Sequence, residues 1–384
     1  MGPLSGMKVI ELAGIGPAPF CAMMLADAGA EVIRIERASA PAAAPAPVDP
    51  LLRNRRSIAL DLKNPEARTV VLRLVESAEA LIEGFRPGVT ERLGIGPEVC
   101  LGRNPRLIYG RMTGWGQQGP LAQAAGHDIN YISLAGALNM IGPAGGKPVP
   151  PLNLIADFGG GGMLLAFGVL AGVLEARRSG KGQVIDAAMV DGVAAMMGIF
   201  FAMNTQGVVR DATGQDMLAG GAPWYDTYLT KDGRTVSIAA IEPQFFRLLL
   251  QKLELDVERF AHLGYPAIGD DARQEWPALR EAITAAFASR TRDEWCRILE
   301  GTDACFAPIL SLAEAPRHPH NMARRTFIEV GGIPQNAPAP RFSATVPAPV
   351  QPPHPSGADT EAVLREVGYS TADIARLRAT GTLS

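Results

Sequence analysis

Short β-branched runs alternate with helix-patterned stretches through the first third of the sequence, and this alternation leaves few folds open. "KVIEL" (8–12), "EVIRIE" (31–36), "SIALDL" (57–62), "ALIEGF" (80–85) and "RLIYGRM" (106–112) read as strands. "APFCAMMLADAGA" and "NPEARTVVLRLVESA" read as the helices between them. Strands that alternate with helices imply a parallel sheet flanked by helices, an α/β architecture. A helix around Met163 to Arg178 and a strand at "QVIDAAM" (183–189) extend the same unit.

From Trp224 the pattern changes. "WYDTYLT" and "RTVSIAAI" flank "KDG" as a β-hairpin, and helices are expected at "PQFFRLLLQKLEL", "WPALREAITAAFAS" and "RDEWCRILEG". This is a second, α+β domain. Residues 331–357 are proline-rich and read as an extended strap, and two short helices follow, "ADTEAVLREVG" and "STADIARLRATG". The alanine/proline stretch at 38–50 reads as a mobile loop insertion.

With 384 residues and 47% hydrophobic content the chain can fill two cores, which excludes wholesale disorder. A formal charge of −3 argues against nucleic acid as a partner. Cys21, Cys100, Cys296 and Cys305 form no CxxC pair, so reduced thiols, a cytoplasmic setting and no metal site are expected. No secretory signal is read at the start of the sequence. The uncharged run Phe158–Leu174 is at the lower limit of a membrane span, about 17 residues, and is read as a buried helix, with no membrane partner.

"ELAGIGPAP" follows the first strand as a tight turn but lacks the third glycine of a dinucleotide fingerprint. Arg53, Arg55, Arg56 and Lys63 surround one strand, and Arg37, Arg86 and Arg92 lie at or beyond other strand ends. Guanidinium groups there suit a polyphosphate, or else form a solvated basic edge. His127, before Asp128 and an apolar helix, has the side chain best suited to proton transfer near neutrality, although a lone histidine also serves structure. Asp157 reads as a helix N-cap or as a reactive carboxylate. The glycines 159–162 exceed what a cap needs, and at a helix N-terminus they would let a substrate lie against free N–H groups. Glu242 is either an exposed loop carboxylate or one that orients a histidine. The stretch "GVAAMMGIFFAMN" and Met217 form either plain core or an adaptable apolar surface for a ligand.

"AGHDINYISLAGAL", "PLNLIADFGGGG" and "GAPWYDTYLTKDGRTVSIAAIEPQFF" closely resemble the racemases of the family III CoA-transferase superfamily, and the resemblance runs over nearly the whole chain. It implies a Rossmann-like large CoA-binding domain (1–190, completed by 330–384). It also implies a linker (191–223), a small α+β domain (224–312), a return linker (313–329) and an interlocked homodimer. Residue by residue, it implies His127 and Asp157 as the acid/base pair and Glu242 as the carboxylate paired with the partner subunit's histidine. Coenzyme A, part of the substrate and not a cofactor, is implied near Arg37, Ala59, Leu62, Lys63, Gly84, Phe85, Arg86 and Arg92. The thioester is implied near Gly126, His127, Asp128, Ile129, Asn130 and Tyr131.

The implied reaction is interconversion of R and S 2-methylacyl-CoA thioesters by 1,1-proton transfer through an enolate. On that reading the N–H groups of Gly159–Gly162 stabilise the enolate oxygen. CoA transfer with Asp157 as nucleophile is the alternative, and a CoA-binding protein without activity is another.

Overall fold

A computed structural model describes residues 1–37 and 49–383. Most of the 38–50 insertion therefore lies outside the described residues. The chain divides into two compact units, one of residues 1–135, 152–196 and 323–384, the other of 136–151 and 197–322. Residues 136–151, expected within the large domain, cluster with the second unit.

In the first unit, six parallel strands are ordered β3-β2-β1-β4-β5-β6. They are β1 (Lys8–Leu12), β2 (Glu31–Arg37), β3 (Arg55–Leu60), β4 (Ala80–Glu83), β5 (Ile108–Thr113) and β6 (Gln183–Ala188). This is the order of a doubly wound Rossmann sheet. The central strands are buried along nearly their whole length, as expected of strands covered on both faces. The helices of this unit are α1 (Pro17–Asp27), α2 (Pro65–Glu76), α3 (Val89–Arg92), α4 (Pro97–Arg103) and α5 (Asp128–Leu134). After α6 (Ala137–Met140), which belongs to the second unit, come a π-helix (Leu154–Met163) and α7 (Leu164–Ser179). The helix α8 (Met189–Thr205) runs across the boundary between the units.

The second unit holds an antiparallel sheet, β7 (Tyr225–Leu229), β8 (Thr235–Ala239) and β9 (Phe306–Pro308). Its helices α9 (Pro243–Lys252), α10 (Val257–Phe260), α11 (Asp270–Ala288) and α12 (Arg292–Leu299) enclose a core with Trp224, Phe246, Trp276, Phe287 and Trp295. The chain returns to the first unit at Ala323, within the short helix α13 (Pro319–Arg324).

The strap expected at 331–357 is partly regular: β10 (Phe327–Val330) and β11 (Ile333–Asn336) form a hairpin around Gly331 and Gly332, both at positive φ. The closing helices α14 (Thr360–Glu366) and α15 (Thr371–Ala379) place Val363, Leu364, Ile374 and Leu377 in one core with Ile58 and Leu60 of β3.

Candidate active site

A cavity of about 500 Å³ opens beyond the carboxyl ends of β1, β4 and β5. Because β2 lies on one side of β1 and β4 on the other, this is the switch point where open α/β sheets bind ligands. The turn after β1 supplies Ile15–Ala18, the loop after β4 supplies Gly84–Pro87, and the end of β5 supplies Met112–Trp115. Gly126, His127 and Tyr131 contribute from the start of α5, and Asn153 and Asp157 from the start of the π-helix.

Two titratable side chains, His127 and Asp157, thus share one wall. His127 is the exposed residue that precedes α5, and its N–H donates to Asn130 Oδ1 at 3.0 Å. Asp157 is half-buried, and its Oδ2 accepts from Asn153 Nδ2 at 3.0 Å. Gly16, at φ +69°, brings the β1–α1 turn against the same oxygen, 3.4 Å from where a Cβ on Gly16 would stand. Burial holds the Asp157 carboxyl above its ordinary value; the Asn153 hydrogen bond opposes this, the Asp128 charge adds to it, and His127 opposes it. Tyr131 is kept in its phenol form by burial and by the charges of Asp157 and Asp128, and it donates to the Gly126 carbonyl at 2.5 Å. The Trp115 and Tyr131 rings pack nearly perpendicular, with centroids 4.7 Å apart.

Residues 4–360 match the profile of the CoA-transferase family III. The chain belongs to this family. The alpha-methylacyl-CoA racemase of Mus musculus is 44% identical over 378 residues, spanning 98% of this chain and 96% of the relative. The protein of the same name from Homo sapiens is 41% identical over 379 residues, with 98% and 96% spanned. A CAIB/BAIF family protein from Brucella suis superposes with a TM-score of 0.78 at 27% identity, covering 95% of this chain and 99% of that one.

Within this family III fold the residues proposed for coenzyme A fall into groups. Gly84, Phe85, Arg86, Gly126, His127 and Tyr131 line the cavity. Arg37 and Lys63 are exposed at or just past the carboxyl ends of β2 and β3, on the same edge of the sheet but outside the lining, and Arg92 is exposed on α3. Leu62 packs partly against the core, and Ala59 is buried beneath Gly357 and Thr360, so its side chain offers no surface to a ligand. Ile129 and Asn130 lie outside the cavity lining, and Asp128 turns its carboxylate inward. Glu242, the exposed residue preceding α9, belongs to the second unit and is not part of this wall.

The arginines around β3 do not form the expected phosphate grip. Arg53 is fully buried and paired with Asp27 at 2.5 Å, Arg55 is paired with Glu11 at 2.5 Å, and Arg56 bridges Glu31 and Glu366. Their charges are consumed by carboxylates from distant parts of the chain.

The glycine run also has a different role from the one its sequence suggests. Asp157 is not an N-cap; Asn153 holds that position and Asp157 lies inside the π-helix. In the i→i−5 pattern the N–H of Gly159 already bonds within the helix, so Gly159–Gly162 do not present free donors. Gly160, Gly161 and Gly162 are buried, and a Cβ on each would stand 2.9 Å or less from a neighbour: the Val193 backbone, the Ala156 carbonyl, and Phe20 with the Pro17 carbonyl. Their lack of side chains lets helices touch.

The apolar segment after them is not fully buried either. Met163, Phe167 and Leu174 are exposed, as are Met196, Ile199 and Phe201 on α8. By length and composition Leu154–Ser179 could cross a membrane, yet 39% of its most apolar window is buried in the fold. Met217 packs against the core of the second unit.

Asn153 went unrecognised in the sequence, although its position four residues before Asp157 on a helix is a readable signal. Gly114 and Trp115 follow β5, where strand-end logic points to ligand contact.

Proposed function

We propose that the chain is an isomerase with the activity named for its relatives, an alpha-methylacyl-CoA racemase. The observation that carries this reading is the pairing of His127 and Asp157 on the wall of one cavity at the switch point of the sheet. Inverting Cα of a 2-methylacyl thioester requires removing a proton from one face and returning one to the other, so two groups must flank that carbon. In one direction Asp157 takes the proton while protonated His127 gives one; in the other the roles exchange. A carboxyl held above its ordinary value by burial is suited to both roles, since it must keep the proton between turnovers as well as take it.

The thioester end of the substrate would enter beside Gly126, His127 and Tyr131, with Arg86 at the rim for the charged coenzyme A portion. Arg37, Lys63 and Arg92 would meet its adenosine phosphates as solvent-facing cations. We also propose a homodimer. The exposed apolar faces of α7 and α8 support it, because a second copy would cover them. The family resemblance adds Glu242 as the carboxylate that orients His127 of the partner subunit.

His127→Ala and Asp157→Asn test the reading. Each should lower epimerisation of (R)- and (S)-2-methylacyl-CoA by about 10² to 10⁴ while CoA binding persists. If the unaltered protein does not epimerise but moves CoA onto free carboxylates, and His127→Ala keeps that transfer, the transferase alternative with Asp157 as nucleophile replaces it.

A further inference from the structure

The cavity wall is made by two separate stretches of chain, and one side chain ties them together. Asp128 follows His127 as the first residue of α5 and is 3% exposed. Its Oδ2 accepts from the backbone N–H of Ala156 at 2.7 Å and from that of Asp157 at 2.8 Å. A π-helix leaves the N–H groups of its first five or so residues without an acceptor inside the helix. Asp128 takes two of these, one belonging to Asp157 itself. Its Oδ1 is buried without a hydrogen-bond donor, so the hydrogen bonds of this carboxylate run through Oδ2. The two backbone N–H groups are the donors its Oδ2 receives.

We infer that Asp128 is the positioning residue of the proton-transfer pair, fixing the backbone of Asp157 relative to that of His127. The inference rests on the reading of those two residues as the acid and base. One peptide bond joins Asp128 to His127, and two charge-assisted hydrogen bonds join it to the segment that carries Asp157. Any shift of α5 against the π-helix must break those bonds. Misplacing one reacting group by about 1 Å can cost on the order of 10²-fold in rate.

Asp128 also acts on Asp157 through its charge. Around Asp157, α5 presents His127, Asp128 and Tyr131, and its own segment presents the neutral Asn153. The β1–α1 turn presents Gly16, with no ionisable group among Gly16–Phe20, and α8 meets the π-helix through Met189, Gly192 and Val193. Arg86 lines the same cavity from the loop after β4. Of the two charges that act on the Asp157 carboxyl, Asp128 disfavours its ionised form and His127 favours it.

Asp128→Asn keeps a carbonyl oxygen for the two N–H groups but removes the charge, and Asp128→Ala removes both. The pH dependence of kcat/KM is measured for each epimer, with thermal unfolding as a control for folding. In a two-base mechanism the apparent pKa values of each profile belong to the His127–Asp157 pair, and loss of the Asp128 charge acts on the acidic one. The inference expects that acidic pKa to move to lower pH in Asp128→Asn. For Asp128→Ala it expects kcat to fall by about ten- to a hundredfold with KM nearly unchanged. If Asp128→Ala does not fold, the Asp128→Asn profile decides alone. An unmoved profile together with wild-type kcat overturns the inference, while Cα exchange in the unaltered protein leaves the racemase reading standing. Absence of Cα exchange in the unaltered protein overturns both.

Discussion

Asp157 gives the fold a pH dependence opposite in sign to that of a salt-bridged carboxylate. Because burial raises its pKa, the folded chain binds more protons than the unfolded chain between the ordinary carboxylate value and the raised one. Its contribution to stability therefore falls as pH rises through that window and stays low above it. Asp157→Asn removes this charge and can still accept from Asn153, so its melting temperature at pH 7 should equal or exceed that of the unaltered protein, with the difference shrinking near pH 4. A variant that melts lower at pH 7 would contradict the account. His127 and Asp157 stand out in the sequence as candidates because their side chains suit proton transfer, and the fold brings both to the wall of one cavity. Arg53, Arg55 and Arg56 read in the sequence as a phosphate grip or a solvated basic edge because Asp27, Glu11, Glu31 and Glu366 approach them only after folding.

The π-helix owes its place to close helix packing. A Cβ on Gly192 would stand 1.9 Å from the Gly160 carbonyl oxygen, and one on Gly160 would stand 2.9 Å from the Val193 nitrogen. Gly160→Ala should therefore destabilise the fold, by about 1 to 3 kcal/mol for forced overpacking. Gly159→Ala, whose Cβ meets the end of the Met196 side chain at 3.7 Å and the Leu154 carbonyl at 3.3 Å, should cost less. Urea unfolding of the two variants measures this. A Gly160→Ala protein that is as stable as the original but inactive would restore a direct role for the glycine in catalysis.

Arg53 ties α1, through Asp27, to the β10–β11 hairpin, through Gln335 and Asn336. Arg53→Ala leaves Asp27 buried without its cation and should cost about 3 to 5 kcal/mol by the same measurement, with KM unchanged. The strands and most helices were legible because their periods are plain. The start of α11 was not: "WP" at 276–277 reads as a first helical turn, yet the helix begins at Asp270 and runs through Pro277. The short strands β9, β10 and β11 carry too few residues to show an alternation.

At the scale of the whole molecule, the exposed faces of α7 and α8 are the least self-sufficient feature. Between the charges at their ends, Glu175, Arg177 and Arg178 on α7 and Asp191 on α8, both helices are apolar on every side, so the sequence period does not distinguish the side that packs inward from the side left exposed. Light scattering should find a dimer, and Phe167→Glu combined with Leu174→Glu should shift it toward monomer; an unaltered protein that is monomeric at micromolar concentration would contradict the proposal. The switch-point cavity follows from the strand order of the six-stranded sheet, but the hydrogen bonds from Asp128 to the π-helix appear only in three dimensions.

The central claim is two-base proton transfer at Cα, and deuterium reports on it directly. Each pure epimer of a 2-methylacyl-CoA is incubated with the protein in D₂O, and Cα deuterium and configuration are followed by NMR. The account predicts that both epimers converge on one mixture and that product of inverted configuration carries solvent deuterium. Demonstrable CoA binding with the Cα proton retained in both epimers would contradict it.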